Sequence, residues 1–113
     1  MKHRIAASAL PVLLVLVLAG CEAVKISSVL ADPSRYVNKT VVIQGTVQNS
    51  MGALGHGAYA VSDGTGTIWV ISSRGVPARG ARVAVEGQVF QGVQFLGQSF
   101  GVALREKRHR TKD

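Results

Sequence analysis

Three hydrophobic patterns follow one another along this chain, and each predicts a different structure. Residues 5–18 are almost continuously apolar, which marks a membrane-directed segment. The short stretch Ile26–Ala31 ends at Asp32-Pro33, which predicts a turn or two of helix that stops there. From Thr40 onward apolar and polar residues alternate with a period of two, the pattern of half-buried β-strands. The chain after the apolar segment is therefore predicted to be a short helical segment followed by an all-β domain.

Two of the predicted strands are near copies of each other in chemistry. In 41–47 and in 83–89 valine or isoleucine occupies every second position except one, which is a glycine, Gly45 or Gly87, and the intervening residues are mostly polar. Glycine weakens a strand interior, so it needs a structural reason. One reason is a bulge or sharp coil that lets one strand serve two sheets. The other is room for a neighbouring aromatic side chain such as Trp69.

Further strands are predicted at 58–62, 67–72 and 99–105. The first two are joined by Asp63-Gly64-Thr65-Gly66, and Asp-Gly between apolar runs is a strong hairpin signal. Five short strands with glycine-rich turns favour a small antiparallel barrel over a sandwich. The connection 73–80 contains two glycines and a proline, so it is predicted to hold at most a single helical turn.

Turn chemistry predicts how the chain enters the barrel. Ser27 or Ser28 is expected to cap the N-terminal helix. Pro33 is suited to start a second short turn with Asp32 as its cap. Asn38-Lys39 then supplies a turn before the first strand.

These segments together resemble the OB-fold domains of bacterial envelope proteins and lipoproteins, which are related in pattern to the nucleic-acid-binding OB superfamily. The resemblance spans residues 26–105 and implies an all-β, five-stranded, antiparallel OB-like barrel. It also implies a ligand face on strands two and three, flanked by the loops 49–57 and 91–98. The side chains expected on or beside that face are His56, Tyr59, Trp69, Arg74, Arg82 and Phe95. The alternative is that Tyr59 and Trp69 are ordinary barrel side chains.

The N-terminus carries an export pattern. Lys2 and Arg4 precede the apolar run of 5–18, which is shorter than the roughly 20 residues that span a bilayer. The run ends in Leu18-Ala19-Gly20-Cys21, which resembles the lipobox of bacterial lipoproteins. The resemblance implies cleavage before Cys21 and acylation of its thiol, with palmitate as a test label. The alternative is a plain signal peptide followed by an incidental cysteine.

The predicted organisation follows from these segments. Residues 1–20 are the lipoprotein signal peptide, 21–25 a lipidated tether, 26–105 the OB-fold domain and 106–113 a basic, disordered tail. The single cysteine is then explained by its lipid. Glu22 follows the lipidated position, where aspartate is the usual inner-membrane retention signal of enteric bacteria. The expected location is therefore the bacterial envelope, anchored in the outer membrane and facing the periplasm.

Charge is concentrated at the C-terminus. The full chain has a formal net charge of +7, and +5 remains after Lys2 and Arg4 leave with the signal. Most of that excess lies in the tail, on Arg105, Lys107, Arg108, Arg110 and Lys112. With the tail set aside the domain is weakly basic, which argues against nucleic acid as its partner. The tail is expected either to meet anionic lipid headgroups or to be a solvated chain end.

The residues provide no catalytic set. The mature histidines are His56 and His109, and no Ser/His/Asp arrangement, acid pair or metal cluster is indicated. Residues 52–57 are glycine-rich, but no helix follows to support a phosphate cradle, so a flexible hairpin loop is predicted. The chain is expected to be neither an enzyme nor a metal protein, and to carry no cofactor besides its covalent lipid.

The sequence therefore predicts a lipid-anchored envelope module that binds a protein, peptide or glycan partner. The alternative is binding of an anionic polymer, either nucleic acid or lipopolysaccharide, through the barrel face and the basic tail.

Overall fold

The computed structural model describes residues 23–53, 56–95 and 98–112, with the side chains of 53, 93–95 and 98–100 outside that description. The predicted signal peptide and Cys21 also lie outside the described residues. Within the described residues, one short helix and a single 3-10 turn precede five strands. The elements are α1 (Ile26–Ala31), the 3-10 turn (Pro33–Arg35), β1 (Thr40–Ala53), β2 (His56–Ser62), β3 (Thr67–Ser72), β4 (Arg82–Phe95) and β5 (Gln98–Lys112).

The five strands close into a barrel in the order β1-β2-β3-β5-β4, which confirms the predicted OB-like architecture. Four of the pairings are antiparallel, whereas β3 pairs with β5 in parallel over 69–71 and 103–105. The predicted antiparallel barrel is therefore confirmed in every pairing except this one. A closed ring with an odd number of strands cannot alternate direction throughout, so one pairing has to be parallel.

The core fills the inside of the barrel and extends to α1. Side chains alternate along each strand, and the inward ones are mostly valine and isoleucine, which suit strands. Ile26 and Val29 of α1 are fully buried and join the same cluster. The inward strand residues with 1% exposure or less are Ile43, Val47, Tyr59, Val61, Ile68, Val70, Val83, Val85, Val89 and Leu104.

The two strand glycines are explained by close backbone approach. A Cβ at Gly45 would lie 2.3 Å from the Ser62 carbonyl oxygen, and one at Gly87 would lie 2.5 Å from the Arg105 carbonyl oxygen. β1 pairs with β4 up to Thr46 and with β2 from Thr46 onward, so one strand serves two parts of the barrel as predicted. Gly87 borders a bulge in the β4–β5 ladder. The alternative of room for Trp69 is wrong for both glycines.

The two loops expected to flank the ligand face are largely strand. Residues 49–53 pair with 56–60, so the loop predicted at 49–57 is wrong over those residues, and with it the flexible hairpin loop predicted at 52–57. Residues 54–55 lie outside the described residues. Residues 91–95 likewise pair with 98–102 as one hairpin. Each of these two hairpins extends beyond the closed part of the barrel. Its two arms remain paired there because they satisfy each other's backbone hydrogen bonds.

The expected disordered tail is also wrong over its described length. β5 runs to Lys112, and residues 108–112 pair with 82–86 of β4. Without this pairing the first half of β4 would be an open edge. It is instead paired on both sides, by β1 and by β5. The basic residues of the tail therefore belong to the barrel wall.

The N-terminal helix has the predicted bounds but a different cap. It begins at Ile26, with Lys25 at the N-cap position, so neither Ser27 nor Ser28 caps it. Its free N–H groups are bound by the β2–β3 turn instead. The Ile26 N–H donates to Asp63 Oδ2 at 2.9 Å, and the Ser27 N–H donates to Thr65 Oγ1 at 3.1 Å. The turn of the central hairpin thus holds α1 on the barrel.

The remaining connections follow the predicted turn chemistry. Asp32 occupies the N-cap of the 3-10 turn that Pro33 starts, although its side chain accepts from Ser34 Oγ rather than from the backbone. Asn38 adopts a φ of 67°, the left-handed conformation that asparagine tolerates in turns. Residues 73–81 contain no helix, as predicted, and bind the edge of β1 through Val47.

Candidate functional site

Strands β2, β3, β5 and β4 build a continuous outer surface on one side of the barrel. Their register places Ala60, Trp69, Ala103 and Phe90 side by side in one row. These side chains point away from the core, because the residues next to them along each strand are buried inside it. We call this row and its neighbours the aromatic platform: Met51, Ala58, Ala60, Trp69, Ile71, Phe90, Ala103 and Arg105.

Small residues form the floor of the platform. Ala58 and Ala103 are fully buried even though they lie on the outer face, because Met51, Trp69 and Ile71 pack over them. Those three covering side chains remain partly exposed. The indole of Trp69 therefore belongs to a surface that a flat ligand group can contact.

A positive charge lies beside the aromatic row. The guanidinium carbon of Arg105 is 4.4 Å from the centre of the Phe90 ring, and Arg105 is exposed. Such a cation–π contact contributes about 0.5–1 kcal/mol at an exposed site. It holds the charge at the platform, where an anionic group of a ligand can meet it.

The other residues predicted for the ligand face are dispersed. His56 is exposed and alternates onto the same face as Ala58. Arg74 is exposed in the connection 73–81, whereas Arg82 pairs with Thr46 and Lys112 on another side of the barrel. The side chain of Phe95 lies outside the described residues.

Tyr59 is not on the ligand face, contrary to the prediction. It is fully buried inside the barrel, and its hydroxyl donates to Glu106 Oε1. His109 Nδ1 lies 2.9 Å from both oxygens of the same carboxyl group, and its ring meets that of Tyr59 edge-on at 5.8 Å. Burial first, and then the hydrogen bond and the charge of Glu106, raise the pKa of Tyr59 far above its ordinary value. These three side chains join β2 to β5, which do not pair.

A bulge in β5 makes this network possible. Glu106 pairs with Gly87 and Arg108 pairs with Glu86, so Lys107 is the extra residue. Residues three apart on a regular strand point to opposite faces. Because Lys107 is an extra residue, the alternation shifts by one position after it. Glu106 and His109 therefore both point into the barrel.

Sequence patterns do not reveal Glu106 as a site residue, because the basic residues around it predict a solvated tail. Its side chain has no exposed surface, while that of His109 keeps 19% exposed. One signal for Glu106 is its position two residues after Leu104. It thereby continues the buried face of the last predicted strand. The bulge that brings in His109 has no such signal.

The remaining basic residues of β5 lie along its outer face. Arg108, Arg110 and Lys112 are exposed and pair with Glu86, Ala84 and Arg82 of β4. Glu86 binds Arg108 at 2.8 Å and Lys107 at 3.9 Å. Arg110 and Lys112 have no acidic partner among the described residues.

The carboxylate of Asp63 is the centre of the β2–β3 turn. Burial alone would raise the pKa of Asp63, but hydrogen bonds from Ile26, Thr65 and Gly66 outweigh it, and the pKa lies below its ordinary value. This side chain therefore has a structural role as the cap of α1.

The described residues contain no group of three or more histidine, cysteine or acidic side chains arranged to hold a metal ion. None of their helices has the length and apolar character needed to cross a membrane.

Comparison with known proteins finds likeness in structure and not in sequence families. No family model matches the chain, and no curated protein sequence matches it. The chain is similar in structure to asparaginyl-tRNA synthetase from Pyrococcus horikoshii, with a TM-score of 0.64 and 20% identity over 80% of this chain. It spans only 23% of that synthetase.

Two further solved structures are similar over about two thirds of the chain. An OBody bound to hen egg-white lysozyme gives a TM-score of 0.54 and 20% identity, covering 68% of this chain and 84% of that one. A replication protein A heterotrimer bound to single-stranded DNA gives 0.51 and 21% identity, covering 66% of this chain and 57% of that one. At such identities the likeness concerns the fold, and the chain is an OB-fold domain.

Proposed function

We propose that this domain binds an anionic polymer across the aromatic platform, with single-stranded nucleic acid as the ligand class. The observation that carries the proposal is the partly exposed Trp69 in one row with Phe90, beside the cation of Arg105. Stacking of a base on an aromatic side chain contributes about 1–3 kcal/mol and accepts any base. A neighbouring cation adds attraction for the phosphate.

The charge of the domain does not exclude nucleic acid once β5 is included. The weak basicity predicted for the domain left out the C-terminal residues as a disordered tail. Arg105, Lys107, Arg108, Arg110 and Lys112 instead belong to β5, so the barrel itself carries their positive charge. The likeness to replication protein A bound to single-stranded DNA supports the same ligand class.

Trp69 provides a direct test because it is the only tryptophan of the chain. A single-stranded oligonucleotide is expected to quench its emission on binding. Trp69→Ala should weaken binding of a labelled oligonucleotide by about 5- to 150-fold, the equivalent of one lost stacking contact. The measurement is fluorescence anisotropy at low salt.

Leu30→Ala is the matched control, because Leu30 is an exposed apolar residue on α1. It should leave the affinity unchanged. Equal affinities of Trp69→Ala and the wild type would contradict the proposed site. Displacement of the oligonucleotide by lipopolysaccharide, but not by a neutral glycan, would extend the ligand class to anionic envelope polymers.

A second candidate is a lipid-anchored envelope module that binds a protein, peptide or glycan without catalysis. Its support is the lipobox-like Leu18-Ala19-Gly20-Cys21 and the likeness to an OBody bound to a protein. Labelled palmitate should attach to the wild type and not to Cys21→Ala. Capture of one envelope protein by the wild type, but not by Trp69→Ala, would favour this candidate over nucleic acid.

A further inference from the structure

A second charged surface lies across β1, β4 and β5, away from the aromatic platform. Register aligns three rows there: Val42–Glu86–Arg108, Gln44–Ala84–Arg110 and Thr46–Arg82–Lys112. We call this surface the basic wall. In the order β1-β2-β3-β5-β4, the seam between β4 and β1 lies across the barrel from β3, which carries Trp69.

The basic wall has an excess of positive charge. Its single acid, Glu86, already binds Arg108 and Lys107. The three other cations, Arg82, Arg110 and Lys112, are exposed and have no ion-pair partner among the described residues. Asp63 lines the same depression as Arg82 and Lys112 and offsets part of their charge, but hydrogen bonds hold its oxygens toward α1 and its own turn, and it forms no ion pair with either cation.

The N-terminal segment enters the barrel at this wall. The Val24 N–H donates to the Val42 carbonyl oxygen at 2.8 Å, in the first of the three rows. Cys21 precedes Val24 by three residues, which can span at most about 11 Å. Membrane anchoring at Cys21, which belongs to the second candidate function, would therefore bring the basic wall close to the headgroups.

We propose that the basic wall docks on an anionic phospholipid bilayer, through Arg82, Arg110 and Lys112. This arrangement leaves Trp69 and the aromatic platform turned to the aqueous side. The inference does not depend on what the platform binds. The cations of the wall complement the negative headgroups, and the chain enters the barrel at the same surface. The side chains themselves make the headgroup contacts, so these contacts require no acyl group.

The test uses residues 21–113 with Cys21→Ser, which cannot be acylated and which contains every described core residue and hydrogen bond. This protein is sedimented with phosphatidylglycerol-containing vesicles and with pure phosphatidylcholine vesicles. Binding is expected to the anionic vesicles alone and to disappear at high salt. Circular dichroism verifies that each variant is folded.

The variant Arg82→Glu, Arg110→Glu, Lys112→Glu should bind anionic vesicles at least roughly a hundredfold more weakly, at about fivefold for each cation removed. The control Arg35→Glu, Arg74→Glu, Arg79→Glu changes the net charge equally at exposed sites outside the wall. It should lose less than about threefold, because none of these three cations belongs to the rows of the wall and exposed charges outside the contact are screened by salt.

Four outcomes would overturn the inference: no binding of the parent protein to anionic vesicles, equal binding to both vesicle types, equal losses in the two triple variants, or loss of oligonucleotide binding alone in the wall variant. Trp69→Ala separates the two proposals. It should retain vesicle binding whether or not the platform binds nucleic acid.

Discussion

At the scale of single residues, the most unusual feature is the buried carboxyl group of Glu106. Taking such a group out of water costs several kcal/mol unless it is hydrogen-bonded. Tyr59 donates to one oxygen, and His109 Nδ1 lies 2.9 Å from both. No buried side-chain nitrogen or oxygen among the described residues is without a hydrogen bond. The network therefore depends on all three side chains together.

Removing one member should cost more than replacing the polar groups of all three. His109→Ala is expected to lower the free energy of unfolding by about 3 kcal/mol, because it leaves Glu106 buried with Tyr59 alone. The triple variant Tyr59→Phe, Glu106→Leu, His109→Leu leaves no buried hydroxyl or carboxyl group without a partner, so it should lose less than the single variant. Urea unfolding followed by Trp69 emission measures both. Equal losses of unfolding free energy in the single and the triple variant would show that His109 does not stabilise the carboxyl group.

At the scale of elements, α1 is held by a turn that is distant in sequence. A helix of six residues is too short to be stable alone. Its position depends on the buried side chains of Ile26 and Val29 and on hydrogen bonds from its first N–H groups to Asp63 and Thr65. The hairpin turn thus has two functions, reversal of the chain and capping of the helix.

Asp63→Ala should lower the free energy of unfolding by about 1–2 kcal/mol through loss of this cap. The folded-state pKa of Asp63 is lowered, so its contribution is complete above the ordinary pKa of about 4 and is lost as the pH falls further. The matched control is Asp32→Ala, whose side chain binds no backbone group. If the free energy of unfolding of Asp63→Ala fell with decreasing pH as steeply as that of the wild type, Asp63 would not be the cap of α1.

At the scale of the whole molecule, positive charge is divided between two sides of one barrel. Arg105 lies on the aromatic platform, whereas Arg82, Arg110 and Lys112 lie on the basic wall. Each side can therefore meet its own anionic ligand. The two predicted ligands should depend on different cations.

The salt dependence of oligonucleotide binding tests this division. Each phosphate contact contributes a slope of about −0.7 to a plot of log affinity against log salt concentration. Arg105→Ala should reduce the magnitude of that slope by about 0.7. Arg110→Ala is the control on the wall and should leave the slope unchanged. The reverse result would place the polymer on the basic wall.

The sequence by itself determined the class of the fold and the positions of its regular elements. Alternation in 41–47 and 83–89, the Asp63-Gly64 turn and the stop at Asp32-Pro33 are local signals, and each corresponds to an observed element. Local signals end where a strand loses its apolar alternation. The polar and basic extensions of β1, β4 and β5 were therefore interpreted as loops and a tail.

Only the tertiary structure decided which residues meet. Pairing with β4 turns the basic tail into a strand, and the extra residue Lys107 directs both Glu106 and His109 inward. The same closure buries Tyr59 and leaves Trp69 on the outside. These outcomes depend on strand register and barrel closure, which join residues far apart in the chain, so no local pattern of side chains specifies them.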